Sequence, residues 1–523
     1  MLGTGQKEHL YDLVPTLGHL LSASARARPH KPLVLFGRQA FSYGLVEEMA
    51  CRIASGLRKG GICPGDRVGL FCINSHWFVA AYFGILKAGA CAVPIHLLLS
   101  AEEIGFILKD AGCRGLVTYG ALEGCLDGIS SLVSSIPCRI VVGEGKIPGA
   151  RSLDDVIAHE APDPGIPALN QKEDVAVILY TSGTTGVPKG AMLTHRNLLA
   201  NVDSILATVP FVETDIILTV LPMFHAFAAT ACILTPIAVG ATIVAVPKFT
   251  AEEVIAEIER NSATVFLGVP SMFAVLASVP EDRRANLSSL RFCVSGGAAL
   301  PAEVMERFEK RFGVLIYEGD GPTECSPVTS VNPIGGRRKV CSIGLPLPGV
   351  RMRIVDDRGQ TLPTGSIGEI VVAGENVMKG YLNRPEETKE AFFGEWFRTG
   401  DLGYVDEDGY FFIVDRKKDM IIVNGMNVYP RMVEEVLCRH PAVAEVAVVP
   451  EPHKLHGEVP RAVIALKEGC SVGKAEILAF CRQHLGRHEV PRVIEFVPSL
   501  PKTPTGKINK RAIARKVSQA YGQ

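Results

Sequence analysis

Short apolar runs alternate with segments of helical periodicity from about residue 65 to about residue 300. The first part of this pattern reads DRVGLFCI, WFVAAYFGILKAG, ACAVPIH, SAEEIGFILKDAG and RGLVTY. Such alternation of strands and helices is typical of parallel sheets that are covered by helices. The pattern returns in DIILTVLP, GATIVAVP, ATVFLGVP and LRFCVSGG, in which each apolar strand ends at Pro or Gly. Ligands bind at such carboxyl ends in open α/β sheets, so we expect a site there.

The pattern changes after about Val340 to glycine-rich alternating runs, which include GVRMRIVDDRG, GEIVVAG and GYFFIVDRKKDMIIVNG. This alternation predicts a β-rich subdomain of antiparallel strands. Beyond the charged residues 415–419, about a hundred residues predict a small α+β domain. We therefore divide the α/β chain into an N-terminal domain, residues 1–416, and a C-terminal domain, residues 417–523.

One segment, residues 227–246, is apolar enough and long enough to span a bilayer. Pro236 and Gly240 divide it into a short helix and a β-branched strand, as in a buried crossover. Basic flanking loops are also missing, so the buried interpretation is favoured over a membrane span. The first twenty residues do not have the pattern of a signal peptide.

Composition narrows the class of protein. A chain of 523 residues with 47% hydrophobic residues exceeds a single core, so two or more domains are expected. Its formal net charge of -1 provides no basic field for nucleic acid, which is excluded as a partner. The 14 cysteines include no C-x-x-C pair, which favours reduced thiols in a cytoplasmic protein.

The segment YTSGTTGVPKGAMLTHRN, residues 180–197, is the strongest candidate for a binding loop. Its hydroxyls, glycines and backbone N–H groups suit a polyphosphate, and Lys189 adds a positive charge. The common nucleotide motif G-x-x-x-x-G-K-S/T does not fit, because the fifth residue after Gly183 is Pro188. A strand before the loop and a helix after Thr194 are expected to hold it, although a flexible surface turn is the alternative.

Five further residues are candidates for binding or catalysis, and each also has an ordinary structural explanation. Asp320 and Glu324 flank a Gly-Pro turn where carboxylates suit Mg²⁺, but an acidic turn is commoner. Asp401 can accept from a ribose diol or simply cap its turn. Lys507 lies in a basic C-terminal cluster that is normally solvated, and His225 lies among apolar residues as core histidines do.

These segments occur in an order that resembles the adenylate-forming superfamily of acyl-CoA synthetases, luciferases and peptide-synthetase adenylation domains. Among these, the chain resembles a fatty acyl-CoA synthetase. The resemblance covers nearly the whole chain and rests on YTSGTTGVPKGAMLTH, RTGDLG, DRKKDMIIVNGMNVYP and PTGKI. It implies activation of a medium- or long-chain fatty acid by ATP and Mg²⁺, giving acyl-AMP, and transfer to coenzyme A.

The resemblance also implies roles for individual residues. The loop at residues 181–189 would hold the β- and γ-phosphates, through Thr181, Ser182, Gly183, Thr184, Thr185, Gly186 and Lys189. Thr323 would contact the α-phosphate, and Glu324 with Thr184 would bind Mg²⁺. The strand ends at residues 295–300 and 318–320 would line adenine and the acyl chain, through Gly297, Ala298, Glu318, Gly319 and Asp320.

Other implied roles concern the remaining nucleotide contacts and the small domain. Asp401 would bind the ribose diol, Arg416 would be a second nucleotide contact, and His225 would lie beside the substrate carboxylate. Lys507 would reach the carboxylate and the α-phosphate during adenylation. The mobile C-terminal domain would then rotate about Lys418 and bring Gly425 to a tunnel for coenzyme A. Catalytic roles thus fall to Lys507, Thr184, Glu324 and His225.

The sequence departs from the family pattern at three positions. Asp320 replaces the aromatic residue that stacks on adenine in most members. Pro322 occupies a position that is more often Met or Leu, and Met432 replaces a glutamate.

Several alternatives stay open from the sequence. An acyl-AMP ligase that loads a carrier protein, a ligase for aryl or other carboxylates, and a non-catalytic nucleotide- or lipid-binding protein are the rival functions. Peripheral membrane contact and a homodimer are also left open.

Overall fold

The computed structural model describes residues 8–162, 165–182, 187–280, 285–453, 457–502 and 508–521. Two large sheets form the N-terminal part, and two five-stranded sheets follow it. The mixed α/β architecture predicted from the alternation of apolar runs is confirmed, and the strands lie where those runs are.

The first large sheet has eight strands and carries the candidate phosphate loop. Its central strands are parallel, whereas the strands at the loop end are antiparallel. In spatial order the strands are Gly380–Tyr381, Pro188–Thr194, Val175–Ser182, Cys91–Pro94, Arg67–Phe71, Gly115–Tyr119, Cys138–Val142 and Arg151–Ser152.

The second large sheet has nine strands, and six neighbouring strands in it are parallel. Its carboxyl ends are therefore gathered at one edge, as the sequence predicted for a ligand site. In spatial order the strands are Leu345–Pro346, Ser330–Val331, Ile316–Asp320, Phe292–Ser295, Val265–Gly268, Ile216–Thr219, Thr242–Ala245, Pro32–Phe36 and Gln39–Ser42.

Helices pack between and around these sheets. Every residue of the helix His76–Lys87 except Trp77 is buried, and its residues join the same apolar cluster as strands of both sheets. The N-terminal helices are Leu10–Leu13, Leu17–Ala27, Tyr43–Lys59, His76–Lys87, Ala101–Asp110, Ser130–Ser135, Leu153–His159, His195–Thr208, Thr235–Val239, Ala251–Asn261, Pro270–Ala277, Ala302–Phe312 and Pro385–Glu390. Two 3₁₀ segments, Gly120–Ile129 and Thr323–Cys325, and one π-helix, Ala228–Leu234, complete this set.

The apolar segment at residues 227–246 is buried inside the protein, as favoured from the sequence. The π-helix Ala228–Leu234 continues into the helix Thr235–Val239, which ends at Gly240 with φ +85°. The strand Thr242–Ala245 follows and is wholly buried. In the described residues, no helix combines the length and apolar character needed to cross a bilayer.

The β-rich subdomain is antiparallel, which confirms the prediction made from its alternating pattern. Its strands are Arg351–Val355, Gly368–Ala373, Trp396–Val405, Phe392–Phe393 and Phe411–Arg416. The last of these ends at the position where the domain boundary was placed. The boundary itself, between residues 416 and 417, stays a prediction.

The C-terminal part forms its own sheet and its own apolar cluster. Its strands are Met426–Val428, Ile421–Val423, Gly457–Leu466, Val443–His453 and Val493–Phe496, and its helices are Pro430–Cys438, Lys474–His484 and Lys510–Tyr521. Asp415 joins this part to the preceding strand, because its carboxylate accepts from the Arg431 N–H at 2.7 Å. Burial raises the pKa of Asp415.

Candidate active site

The candidate phosphate loop is the tip of a β-hairpin. The strand Val175–Ser182 pairs with Pro188–Thr194, and Thr181 lies opposite Lys189. The sequence pattern predicts a strand only before the loop, but residues 188–194 form a second strand, which leads directly into the helix His195–Thr208. Thr194 caps that helix through a capping box with Asn197. The predicted contacts Gly183, Thr184, Thr185 and Gly186, and the side chain of Ser182, lie outside the described part of the chain.

Lys189 is held close to an acidic and an aromatic neighbour. Its Nζ lies 3.7 Å from Glu387 Oε2 and 5.4 Å from the centre of the Tyr381 ring. The Lys189 side chain is 13% exposed. An ammonium group this well shielded from water attracts an anion more strongly than a surface lysine does, which suits a phosphate ligand.

In the described part of the chain, only one carboxylate oxygen of Glu324 accepts hydrogen bonds. Its Oε1 accepts from the Tyr381 hydroxyl at 2.8 Å and from the Thr181 hydroxyl at 3.4 Å. Its backbone carbonyl accepts from the Met378 N–H at 2.7 Å. Among the described residues no side chain or backbone group donates to Oε2. Glu324 thus connects the hairpin to the 3₁₀ turn Thr323–Cys325, in which the predicted contact Thr323 also lies.

Oε2 of Glu324, to which no described group donates, suits a magnesium ion. The described residues contain no group of three or more His, Cys, Asp or Glu that could hold a metal by themselves. Mg²⁺ commonly binds through one or two carboxylates together with substrate phosphates, so this donor set fits a metal that arrives with a nucleotide. The other predicted ligand, Thr184, is not described.

Asp401 and Arg416 form an ion pair across neighbouring strands. They are direct partners in the sheet register, and Arg416 Nε lies 2.6 Å from Asp401 Oδ1. The Asp401 carboxylate raises the pKa of Arg416. Asp320 and Glu324 raise it further, whereas burial acts in the opposite direction. The structure therefore brings Asp320, Glu324, Asp401 and Arg416 into one electrostatic neighbourhood.

Glu318 lies at the carboxyl end of a central strand, but its carboxylate faces away from open space. Glu318 Oε1 accepts from the Leu300 N–H at 3.2 Å, and Oε2 accepts from the Cys341 N–H at 3.1 Å. Burial raises the pKa of Glu318 to about 7. The side chain thus fixes the loop at residues 296–300, which contains the exposed Gly297 and Ala298. A direct cofactor contact by Glu318 stays a prediction.

The neighbouring strand end carries two further predicted contacts. Gly319 pairs with Val331 and Asp320 with Ser330, and the Asp320 carbonyl accepts from the Thr329 N–H at 2.9 Å. A Cβ added at Gly321 would lie 1.7 Å from the Pro327 carbonyl oxygen, so only glycine fits beside Asp320.

His225 lies half-buried at the start of the apolar crossover. Its Nδ1 accepts from the Phe227 N–H at 3.2 Å. The ring of Phe227 would lie 3.2 Å from a Cβ added at Gly296, so this ring packs against the glycine-rich loop.

The C-terminal candidates are only partly described. Burial lowers the pKa of Lys418, which follows the strand Phe411–Arg416. Gly425 has φ +80° in the turn between Ile421–Val423 and Met426–Val428. Lys507 lies outside the described residues. Tyr381 and Glu387, which contact Glu324 and Lys189, were missed because no local motif marks them.

Comparison with known proteins matches the two parts of the chain to the two domains of AMP-binding enzymes. Residues 21–382 match the model of the AMP-binding enzyme family, and residues 432–507 match the model of the AMP-binding enzyme C-terminal domain. A long-chain-fatty-acid–CoA ligase of Bacillus subtilis is 35% identical, over 97% of this chain and 95% of its own. A feruloyl-CoA synthase of an Amycolatopsis species is 36% identical, over 94% of this chain and 97% of its own.

A solved structure has the same fold. The anthranilate CoA ligase AuaEII, in complex with anthranoyl-AMP, superposes with a TM-score of 0.91 at 30% identity, covering 99% of this chain and 100% of that one. The three proteins named here take an aliphatic acid and two aromatic acids.

Proposed function

Because the chain belongs to the AMP-binding enzyme family and is an AMP-forming ligase, we propose that it activates a fatty acid of medium or long chain and transfers it to coenzyme A. The resemblance to adenylate-forming enzymes inferred from the motifs is confirmed at the level of the family and the fold. The acid and the acceptor thiol are the finer part of the proposal.

The observation that carries the proposal is the junction of Glu324 with the phosphate hairpin. In the part of the chain that the structure describes, Glu324 is hydrogen-bonded through one carboxylate oxygen, which Thr181 also reaches, and Lys189 shares the same Tyr381 neighbour. This arrangement provides an anion site and a cation site side by side. A nucleotide triphosphate with its magnesium ion needs both.

In the first half-reaction, ATP binds with its phosphates at residues 181–189 and its ribose hydroxyls at Asp401. Glu324 and Thr184 would hold Mg²⁺, which when bound offsets the charge of the phosphates. A carboxylate oxygen of the acid attacks the α-phosphorus, the bond to the bridging oxygen breaks, and pyrophosphate leaves with that electron pair. Lys507 would stabilise the developing charge, and His225 would orient the acid.

In the second half-reaction, the small domain would turn about Lys418 and bring Gly425 toward the adenylate. The thiol of coenzyme A loses its proton and attacks the acyl carbon, and AMP leaves as the thioester forms. Lys507 would move away in this step, so that one site serves two reactions.

The choice of a fatty acid rests on the apolar surroundings of His225. Phe224, Ala226 and Ala228 are buried, and Phe227 packs on the glycine-rich loop. Residues 222–230 and 295–300 contain no Asp or Glu that could pair with the ammonium group of an amino acid. An aryl carboxylate is the second candidate, because Phe227 offers an aromatic face and two similar proteins take aromatic acids.

The proposal also includes a cytoplasmic location, since none of the 14 cysteines, all of them described, forms a disulfide. A panel of carboxylic acids tests the function, with AMP and CoA thioester quantified separately. Octanoate to palmitate should give AMP and thioester in equal amounts. Aromatic acids as the best substrates would replace the fatty acid by an aryl acid. AMP without thioester, in the presence of CoA, would instead indicate a carrier protein as acceptor.

A further inference from the structure

One segment of the chain contacts both the phosphate hairpin and the turn that carries Glu324. Residues 376–382 lie against the hairpin and the turn that contains Glu324. The Lys379 N–H donates to the Met192 carbonyl at 3.0 Å, and the Leu382 N–H donates to the Gly190 carbonyl at 2.8 Å. The Met378 N–H donates to the Glu324 carbonyl at 2.7 Å. The short strand Gly380–Tyr381 is therefore fixed relative to the hairpin and to Glu324.

The segment is itself anchored beyond Tyr381. Arg384 forms an ion pair with Asp110 at 3.2 Å, and the Asn383 amide donates to the Asp110 carbonyl at 3.0 Å. Thr388 accepts from the Tyr381 N–H at 2.9 Å. With its backbone held on both sides, the Tyr381 ring has little freedom to move away from Glu324.

The hydroxyl of Tyr381 selects between the two oxygens of Glu324. It donates to Oε1 at 2.8 Å, and the weaker contact from Thr181 reaches the same oxygen. Among the described residues, no group donates to the other oxygen of Glu324, which suits a cation.

We propose that Tyr381 is a positioning residue, which holds Glu324 so that Oε2 faces the metal-bound triphosphate and which couples this carboxylate to the phosphate hairpin. The inference rests on the proposed function, because it assigns a task to Glu324 in ATP binding. Groups that orient a metal ligand through a hydrogen bond typically change metal affinity or activity by about 10- to 100-fold when they are removed.

A purely structural role for the hydroxyl is the alternative, and a tyrosine remote from the site provides a control. Tyr43 begins the helix Tyr43–Lys59 and donates its hydroxyl to the Ala241 carbonyl at 2.7 Å. It is buried, and burial raises its pKa. The two tyrosines differ in the acceptor that their hydroxyls hold, since Ala241 has no assigned part in the reaction.

The experiment compares Tyr381→Phe with Tyr43→Phe in the full-length protein. Binding of Mn²⁺ together with an ATP analogue that cannot be cleaved at the α–β bond is followed by electron paramagnetic resonance. We expect Tyr381→Phe to weaken Mn²⁺ binding by about tenfold and Tyr43→Phe to leave it unchanged. In acid-dependent pyrophosphate exchange, Tyr381→Phe should lower kcat by a similar factor and leave the KM of the acid unchanged. Melting temperatures of the two variants should fall alike.

A double variant tests whether Tyr381 acts through Glu324. In the Glu324→Gln background, adding Tyr381→Phe should cause no further loss of Mn²⁺ affinity, measured per folded protein. A further tenfold loss, or equal Mn²⁺ affinities for Tyr381→Phe and Tyr43→Phe, would overturn the inference. The metal measurement requires neither an acid nor turnover. An inactive wild-type protein would therefore refute the proposed function without deciding the role of Tyr381.

Discussion

Replacing Glu318 by Gln should change the pH dependence of stability, because this carboxyl group is buried and titrates near neutrality. Its pKa rises from the usual 4.5 to about 7, chiefly through burial. Arg431 opposes the rise, as do the hydrogen bonds from Leu300 and Cys341, and Glu435 adds to it. The native protein therefore keeps a proton that the unfolded chain has already lost between these two pH values.

The sign and size of the effect follow from proton linkage. Where the native state binds more protons than the unfolded state, the free energy of unfolding falls as pH rises. Stability that Glu318 contributes below pH 4.5 is thus lost as the pH rises toward 7. At about 1.4 kcal/mol for each pKa unit, this loss amounts to about 2 to 3 kcal/mol between pH 5 and pH 8.

The Gln variant should lack this dependence. Glutamine has one carbonyl oxygen, whereas Leu300 and Cys341 donate to two different oxygens of Glu318. One N–H group would lose its acceptor, which costs about 1 to 3 kcal/mol. The variant should be less stable than the wild type at pH 5, and this deficit should shrink or reverse at pH 8.

Urea unfolding of both proteins at pH 5, 6, 7 and 8 measures the effect. The exposed Glu306 provides a control, since Glu306→Gln should follow the wild-type curve. If the wild type and Glu318→Gln gave parallel curves, differing by a constant amount across this range, the assignment of a buried neutral carboxyl to Glu318 would be refuted.

Four other changes test the proposed site. Lys507→Ala should slow adenylation by about 10²- to 10³-fold but spare thioester formation from supplied acyl-AMP, and equal loss of both rates would contradict its role. Gly425→Leu should do the reverse and lower the melting temperature, since φ is +80° there; normal turnover of acyl-AMP with CoA would place the tunnel elsewhere. Glu387→Gln should lower the KM for ATP by up to about fivefold at low salt. An unchanged KM would show that Glu387 does not affect the binding of ATP by Lys189. Asp320→Tyr should lower the KM for ATP by stacking on adenine, whereas a lower melting temperature with unchanged ATP affinity would show that Asp320 only shapes its turn.

Much of the fold could be predicted because its signals are local. The strands Ile216–Thr219, Thr242–Ala245 and Val265–Gly268 lie inside apolar runs that end at Pro or Gly. The antiparallel subdomain follows from the alternation of residues along each strand. The second strand of the phosphate hairpin, Pro188–Thr194, was missed because a proline and a glycine obscure its pattern.

The contacts of the site could not be predicted in the same way. Tyr381 reaches Glu324 only because residues 376–382 pair with the hairpin, which is a tertiary contact without a local motif. The direction of the Glu318 side chain depends on the backbone N–H groups of Leu300 and Cys341, which come from two other loops. Sequence motifs located the loops, but the three-dimensional pairing decides what each carboxylate does.

The charged groups of the described site bear on how a nucleotide would bind there. Asp401, Asp320 and Glu324 act on Arg416, and Glu387 lies beside Lys189. Lys418 lies in the same field, since Asp401 and Arg416 both act on its pKa. Carboxylates and cations are thus interleaved, and each carboxylate weakens the attraction of its neighbouring cation for a phosphate. Under the proposed function, Mg²⁺ at Glu324 and Lys507 of the C-terminal domain would add positive charge to the phosphate site. We therefore expect ATP to bind more tightly with Mg²⁺ than without it, and the small domain to strengthen that binding when Lys507 is in place.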